Sequence, residues 1–478
     1  MQPKIPAWTS IPENGVNSNN PVQDQSLYRK EPKIYPHHVS GRFTRLRDLA
    51  MYVLLGLFYF IPWLNIGGHQ AVLFDLPARK FYILGLTFWP QDFIYLALLL
   101  VSAGLSLFFF TAVAGRLWCG YACPQTVWTE AFLMMERWTE GNRQKRIKLD
   151  KAPWGVDKLL RKGSKQFLWI TFSMWTGFTF VGFFTPIREL AVGIASLSLG
   201  PWETFWGIFY GFATYGNAGY LREQVCKYMC PYARFQSAMF DHETLVISYD
   251  EKRGEPRGSR KKGADPGELG LGDCIGCTLC VQVCPTGIDI RDGLQYECIA
   301  CAACIDICDE VMDKMEYPRG LIRYTTENAL DGKPSRVIRP RVIIYGTILL
   351  LIVCSTLWSM THRMPLRADL IRDRNALYRE LADGQIENVY TLKITNMDDT
   401  SHEYSLRAID QPDASFDTSR ALQLAAGETA GFSVRIRMPR TAGLGTQKLE
   451  LELSSIDQPD IHKKLNVTVL LPVSHSSP

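Results

Sequence analysis

Two runs of four cysteines restrict this chain more than any other feature. Cys274, Cys277, Cys280 and Cys284 are spaced C-x2-C-x2-C-x3-C and are followed by Pro285. Cys298, Cys301, Cys304 and Cys308 repeat the spacing, with Asp309 where the first run has proline. Disulfide frameworks belong to short secreted chains, and thiols this close in sequence suit a metal centre better than a bridge. The doubled register is that of two-cluster ferredoxins. Three thiolates from one tight loop hold three irons of a cubane, and the fourth cysteine, past the loop, reaches the other cluster. Cys274, Cys277, Cys280 and Cys308 are therefore expected to hold one [4Fe–4S] cluster, and Cys298, Cys301, Cys304 and Cys284 the second. Pro285 turns the chain after the crossing ligand; Asp309 leaves ligation intact without fixing the second turn. Zinc, the other metal for thiolate groups, fits eight cysteines in this register poorly.

Of the thirteen cysteines only Cys354 stands outside a group. Cys119 to Pro124 (CGYACP) and Cys226 to Pro231 (CKYMCP) both read C-x-Y-x-C-P, with Cys123 and Cys230 closing the pairs. On a helix, i and i+4 share a face, so the two thiols of each pair converge, and the proline breaks or restarts the helix. Two soft thiolates suit Cu(I). Reversible disulfide chemistry, an additional cluster site and helix packing stay open beside that reading.

Crossing a bilayer as a helix takes about 20 apolar residues. Five stretches are expected to do so: 49–66, 92–114, 167–186, 201–221 and 338–360, the fourth being the weakest because it contains Glu203. The first 48 residues lack the charged start and short apolar core of a cleaved signal. Lysine and arginine set the orientation. Lys30, Lys33, Arg42, Arg45 and Arg47 precede the first span, and residues 115–166 carry eleven such side chains, whereas the alternate loops offer Arg79, Lys80 and Arg188. This predicts a cytoplasmic N-terminus, a cytoplasmic segment 222–337 and an outer segment after residue 361. Both C-x-Y-x-C-P motifs follow a helix pair, so spans 1–2 and 3–4 read as parallel repeats about an axis along the membrane normal.

At roughly 150 residues per domain, 478 residues suggest about three domains. The expected order is a flexible leader (1–40), a first membrane part holding both thiol pairs (41–240), a basic, glycine-rich linker (250–267), the ferredoxin-like module (268–337), the fifth span (338–360) and a β-rich segment (366–478). In that last segment apolar residues alternate at Tyr390, Leu392, Ile394; Tyr404, Leu406; Phe432, Val434, Ile436; Leu449, Leu451, Leu453; and Leu465, Val467, Val469. Period two over short runs broken by turn residues predicts a small β-sandwich. With His402, His462 and His475 and no cysteine, it offers no obvious metal site. The fold class is thus an α-helical membrane protein of about five spans, with an inserted two-cluster module and a C-terminal all-β immunoglobulin-like sandwich. His69, His242 and His362 do not pair on helices as haem b requires. No glycine-rich nucleotide loop follows a strand, so no flavin or nicotinamide site is expected. A net charge of +4 gives no reason to expect nucleic acid.

Residues 277–315, CTLCVQVCPTGIDIRDGLQYECIACAACIDICDEVMDKM, with CD in place of CP, are the most specific stretch of a wider resemblance. Together with both CxxxCP motifs, the fifth span and the C-terminal sandwich, the chain resembles the CcoG/FixG/RdxA family, accessory proteins of cbb3-type cytochrome oxidase assembly. The resemblance implies a multi-pass inner-membrane protein that reduces Cu(II) to Cu(I) to support copper insertion, with copper held at Cys119, Cys123, Cys226 and Cys230. Its implied partners are the oxidase or its copper-assembly factors and an unidentified cytoplasmic or membrane electron donor; a homodimer stays open. Membrane ferredoxins similar to NapH and NosR, which relay electrons from quinol toward a periplasmic reductase, are the alternative. A non-catalytic assembly scaffold is the third reading.

Overall fold

A computed structural model of the protein describes residues 33–373, 377–382, 384–398, 400–409, 414–418, 421–439 and 445–472. Most of the expected leader and His475 lie outside the described residues. Residues 33–40, expected within the leader, are an extended strap: the His37 amide donates to the Gln282 carbonyl at 2.8 Å, and Arg146 Nη2 donates to the Pro36 carbonyl at 2.7 Å.

Helix α1 (Arg42–Phe60) begins earlier than the expected 49 and runs into a 3-10 turn ending at Trp63. A pair of two-residue strands, β1 (Asn65–Ile66) and β2 (His69–Gln70), and an antiparallel meander, β3 (Val72–Asp75), β4 (Lys80–Ile83) and β5 (Leu86–Phe88), connect it to α2 (Phe93–Ala114). α2 has no charged residue and stops at Gly115, whose φ of 54° ends the helix as only glycine does cheaply. Short α3 (Leu117–Tyr121) leads to α4 (Pro124–Glu140), α5 (Arg143–Lys151), α6 (Val156–Val181), α7 (Ile187–Ala195) and α8 (Pro201–Thr214). α8 passes into π-helical stretches, Tyr215–Leu221 and Val225–Met229, before α9 (Pro231–Ala238).

Among the described residues, three helical segments are long and apolar enough to cross a membrane: Arg42–Trp63, Phe93–Ala114 and Pro340–Thr361. The other two expected spans are also helical. α6 carries charges on its first turns, and α8 keeps α geometry for 14 residues only. The two helices touch backbone to backbone: a Cβ on Gly177 would come within 2.1 Å of the Gly207 carbonyl.

Buried ion pairs fix α4 against its neighbours. Glu136, 1% exposed, meets Arg146 at 2.9 Å and Arg222 at 3.2 Å, and Glu140 meets Lys162 and Lys165, each at 2.9 Å. Buried charges persist when paired in this way. Here they tie α4 to α5, to α6 and to the turn ahead of Cys226.

The module is bracketed by β6 (Val246–Tyr249), which pairs with β7 (Ile322–Thr325). Between them lie α10 (Glu251–Gly254), α11 (Leu279–Val283) and α12 (Ala303–Met315); α13 (Glu327–Leu330) and α14 (Pro340–Thr361) follow. The C-terminal part is a sandwich of two antiparallel sheets. One orders β12 (Ser415–Thr418), β14 (Thr429–Pro439), β10 (Gln385–Asn396) and β8 (Leu366–Arg372), with β9 (Arg379–Glu380) also on β10. The other orders β13 (Leu422–Leu424), β11 (His402–Ala408), β15 (Thr446–Ser455) and β16 (His462–Leu470). The alternating residues face inward as period two requires: Leu392, Ile394, Val434, Ile436, Leu451 and Leu453 are fully buried.

Candidate functional site

The two cysteine runs fold alike. Gly276 and Thr278 in the first, and Ala300 and Ala302 in the second, take left-handed backbone conformations at matching positions, with φ between 53° and 68°. These residues curl each loop so that its thiols converge. One cavity is lined by Cys274, Cys277, Cys280 and Cys308, the four expected together; another by Cys284, Cys298, Cys301 and Cys304, with Cys280 at its edge. The crossing follows from the helices. Cys284 ends α11 and Pro285 turns the chain away, whereas Cys308 lies inside α12, which runs on to Met315. A proline after Cys308 would break that helix. Asp309 continues it and accepts the Gly320 amide at 2.9 Å.

Burial pushes the thiols up from their ordinary value of 9.0, Cys298 and Cys308 to about 12 and Cys280 to about 11. Without metal these thiols are protonated at neutral pH, and iron must displace the protons. Cys277 is exposed; Cys274, Cys280 and Cys301 are buried.

The thiol pairs are built differently from the expectation. Cys119 lies in α3 and Cys123 caps the start of α4, so the pair straddles a turn and does not share one helix face. Cys226 lies in a π-helical turn and Cys230 caps α9. The prolines start the next helix in both motifs, as N1 prolines do. The two pairs lie near enough to influence one another electrostatically across the repeats. Cys119 is pushed to about 12 by burial first, then by Cys123, with Cys226 and Cys230 contributing; Cys226 is pushed to about 11 by burial, then by Cys123 and Cys230. Cys119 Sγ donates to Oε1 of Gln236, a fully buried residue of α9, at 3.4 Å.

This quartet is packed directly against the second cysteine run. A Cβ on Gly120 would lie 2.8 Å from both the Ile299 and Ala300 carbonyls. Arg116 Nη1 donates to the Cys298 carbonyl at 3.2 Å, and Arg47 Nη1 to the Cys301 carbonyl at 3.4 Å. One cavity touches both Cys226 and Cys301, with Arg47, Glu130 and Arg222 in its walls. Among the described residues no three His, Cys, Asp or Glu side chains approach closely enough to hold a single metal ion. The cysteines of the two runs fit iron–sulfur centres in donor type and number. Sequence reasoning missed Arg116, Arg47, Gln236 and Gly120. A signal existed for two of them: where the first motif has Arg116 and Gly120, the second has Glu223 and Lys227.

Family models match in three places: a 4Fe-4S binding domain over residues 95–143, a 4Fe-4S dicluster domain over 221–327, and the Ig-like fold at the C-terminus of FixG over 356–472. The chain is 39% identical to protein RdxB of Cereibacter sphaeroides over 91% of its length and 94% of that protein. It is 40% identical to nitrogen fixation protein FixG of Rhizobium meliloti over 87% of its length and 86% of that protein. It is 38% identical to protein RdxA of Cereibacter sphaeroides over 80% of its length and 83% of that protein.

Proposed function

The chain belongs to the family of FixG, RdxA and RdxB, and from that membership we propose that it is a membrane oxidoreductase that reduces Cu(II) to Cu(I) for maturation of a cbb3-type cytochrome oxidase. It is an iron–sulfur electron-transfer protein of the membrane. Cys274, Cys277, Cys280 and Cys308 would hold one [4Fe–4S] cluster, and Cys284, Cys298, Cys301 and Cys304 the other. Clusters held there would supply one-electron storage and transfer. The observation that carries the proposal is the packing of the Cys119 turn against the second cysteine loop, with Cys226 and Cys301 lining one cavity.

In this reading the quartet binds copper as substrate. Cu(II) gains one electron from a reduced one-electron carrier and becomes Cu(I); no covalent bond breaks, and the soft thiolates retain the product. Gly120 lets the motif approach the second loop, and the Glu136 and Glu140 ion pairs hold α4 and the Cys226 turn in register. Cu(I) then passes to the oxidase or its copper-assembly factors. The protein would lie in a bacterial inner membrane with five spans, its module cytoplasmic and its sandwich periplasmic.

A second reading gives the quartet a further iron–sulfur cluster. It is favoured by the 4Fe-4S binding domain match over Cys119 and Cys123. Iron and acid-labile sulfide analysis of anaerobically purified protein separates the two: about eight irons per chain are expected if the quartet is free for copper and about twelve if it is filled. Stoichiometric zinc without iron would overturn both. Reduced protein is expected to convert Cu(II) to Cu(I) in a chelator assay, and no conversion above buffer would remove the copper reading.

A further inference from the structure

Three arginines reach the cysteine loops, and two of them have a carboxylate partner. Arg291 stands beside the first set and binds both carboxylate oxygens of Asp289, at 2.8 and 2.5 Å. Arg47, which donates to the Cys301 carbonyl, faces Glu130 at 3.8 Å, shares that carboxylate with Arg137, and like Arg116 has an Nε without an acceptor. Arg116 differs. It is 4% exposed, its Nη1 reaches the Cys298 carbonyl at 3.2 Å, its Nη2 reaches the Ala233 carbonyl at 2.5 Å, and its Nε has no acceptor. No carboxylate pairs with it among the described residues. Burial lowers its guanidinium from the ordinary range, and Cys119, Cys298, Cys226 and Glu297, in that order, raise it again.

A buried cation with no carboxylate beside it is costly. That cost is offset where anions form nearby. The thiolates of a loaded second set and of a loaded quartet are such anions, and Arg116 lies between them. A positive charge held at that point favours electron uptake on either side of it. Arg291 cannot act in this way, because Asp289 answers it through both oxygens, and Arg47 can do so only in part, because it shares Glu130 with Arg137.

We propose that Arg116 is the counter-cation shared by the second cysteine set and the four-thiol site, a positioning residue that makes the second cluster the more easily reduced of the two and directs electrons toward the quartet. The proposal rests on the reading that Cys284, Cys298, Cys301 and Cys304 hold an iron–sulfur cluster; it does not depend on copper. It also explains the asymmetry of the repeat. Glu223 occupies the matching position in the second motif, so a single cation serves both halves.

The test is a redox titration of the full chain in detergent, followed by EPR, on wild type, Arg116→Lys and Arg116→Gln. Cys277→Ser identifies the signals of the first cluster. Arg116→Gln is expected to move the second cluster to a more negative potential and leave the first unchanged. Arg116→Lys is expected to stay near wild type for both. An unchanged second potential in an iron-replete Arg116→Gln protein overturns the proposal, as does a shift in Arg116→Lys as large as that in Arg116→Gln. If Arg116→Gln loses its second cluster during purification, the lysine variant decides: wild-type potential supports the assignment, and a shifted or lost cluster overturns it. Wild-type protein devoid of iron would instead refute the cluster reading on which the inference stands.

Discussion

A buried thiol binds metal only after it gives up a proton, so the environment of Cys119 and Cys226 dictates how copper binding responds to pH. Burial raises these two from 9.0 to about 12 and about 11. Both are neutral in the metal-free protein at pH 7, and each releases one proton on ligation. Cu(I) held by two such thiols should therefore bind about a hundredfold more tightly for each unit of pH between about 6 and 8. A competition titration measures this slope, and a flat profile would assign copper to groups already ionised. Stability runs the other way. A thiol whose pKa is raised by folding stabilises the fold at pH below its unfolded pKa. That contribution disappears as pH climbs through the folded value. Metal-free protein should lose stability between about 9 and about 12. The double change Cys119→Ser with Cys226→Ser is expected to lower Cu(I) affinity and Cu(II) reduction while leaving the ferredoxin spectrum nearly normal. Unaltered Cu(I) binding in that folded variant would make these cysteines packing residues.

Among the elements, short α3 determines how close the quartet comes to the second cysteine loop. Gly120→Ala would push a methyl into two backbone carbonyls that cannot swing aside. Overpacking of this kind costs about 1–3 kcal/mol. The variant should melt lower and reduce Cu(II) more slowly, whereas Gly104→Ala in α2, with nothing within 4 Å, serves as a control that should do neither. A Gly120→Ala protein indistinguishable from wild type would show that the approach is dispensable. Local signals made several elements legible in advance. Pro124 and Pro231 mark helix starts, Leu392, Ile394, Val434 and Ile436 mark the sandwich interior, and the cysteine spacing assigns thiols to two sets that the fold brings together. Other features depend on partners far away in sequence. C-x-Y-x-C-P has the i, i+4 spacing of one helix, yet the chain turns between its cysteines. The continuation of α12 through Cys308 becomes clear only when Asp309 meets Gly320. Residues 33–40 carry no periodicity and are ordered by Arg146 and Gln282. The edge strands β12 and β13 alternate in burial but are only four and three residues long, too short to stand out in the sequence.

At the scale of the whole molecule, the helices run between two ends. α1 starts at the module, where the Thr44 amide donates to Asp306 at 2.7 Å. α2 and α14 are antiparallel: Tyr95 near the start of one bonds Ser359 near the end of the other at 3.0 Å. The sandwich joins the β3–β5 end, where Arg363 donates to the Thr87 carbonyl at 3.1 Å. Module and sandwich thus occupy opposite ends of helices of 22 residues, about 33 Å long at 1.5 Å per residue, which matches a hydrocarbon core of about 30 Å. α6 and α8 extend between the same ends: Gln70 in β2 donates to the Gly182 carbonyl, just past α6, at 2.6 Å, and the stretch after α8 arrives at Cys226. Three spans and five spans agree on two points. A reporter fused after residue 330 should read cytoplasm and one at the C-terminus should read periplasm, and finding both on one side would remove α14 as a span. They disagree at Leu197, which lies between α7 and α8 and is 94% exposed. If only α1, α2 and α14 cross, residues 115–339 stay on one side and Leu197 reads cytoplasm. If α6 and α8 cross as well, Leu197 reads periplasm. The positive-inside rule favours the second outcome, because residues 115–166 are rich in lysine and arginine while the α6–α8 connection offers only Arg188. A cysteine placed at 197 should therefore react with a membrane-impermeant thiol reagent in intact cells. Protection there, with labelling after disruption, would reduce the membrane part to three crossings and make α6 and α8 a pair packed on the cytoplasmic side.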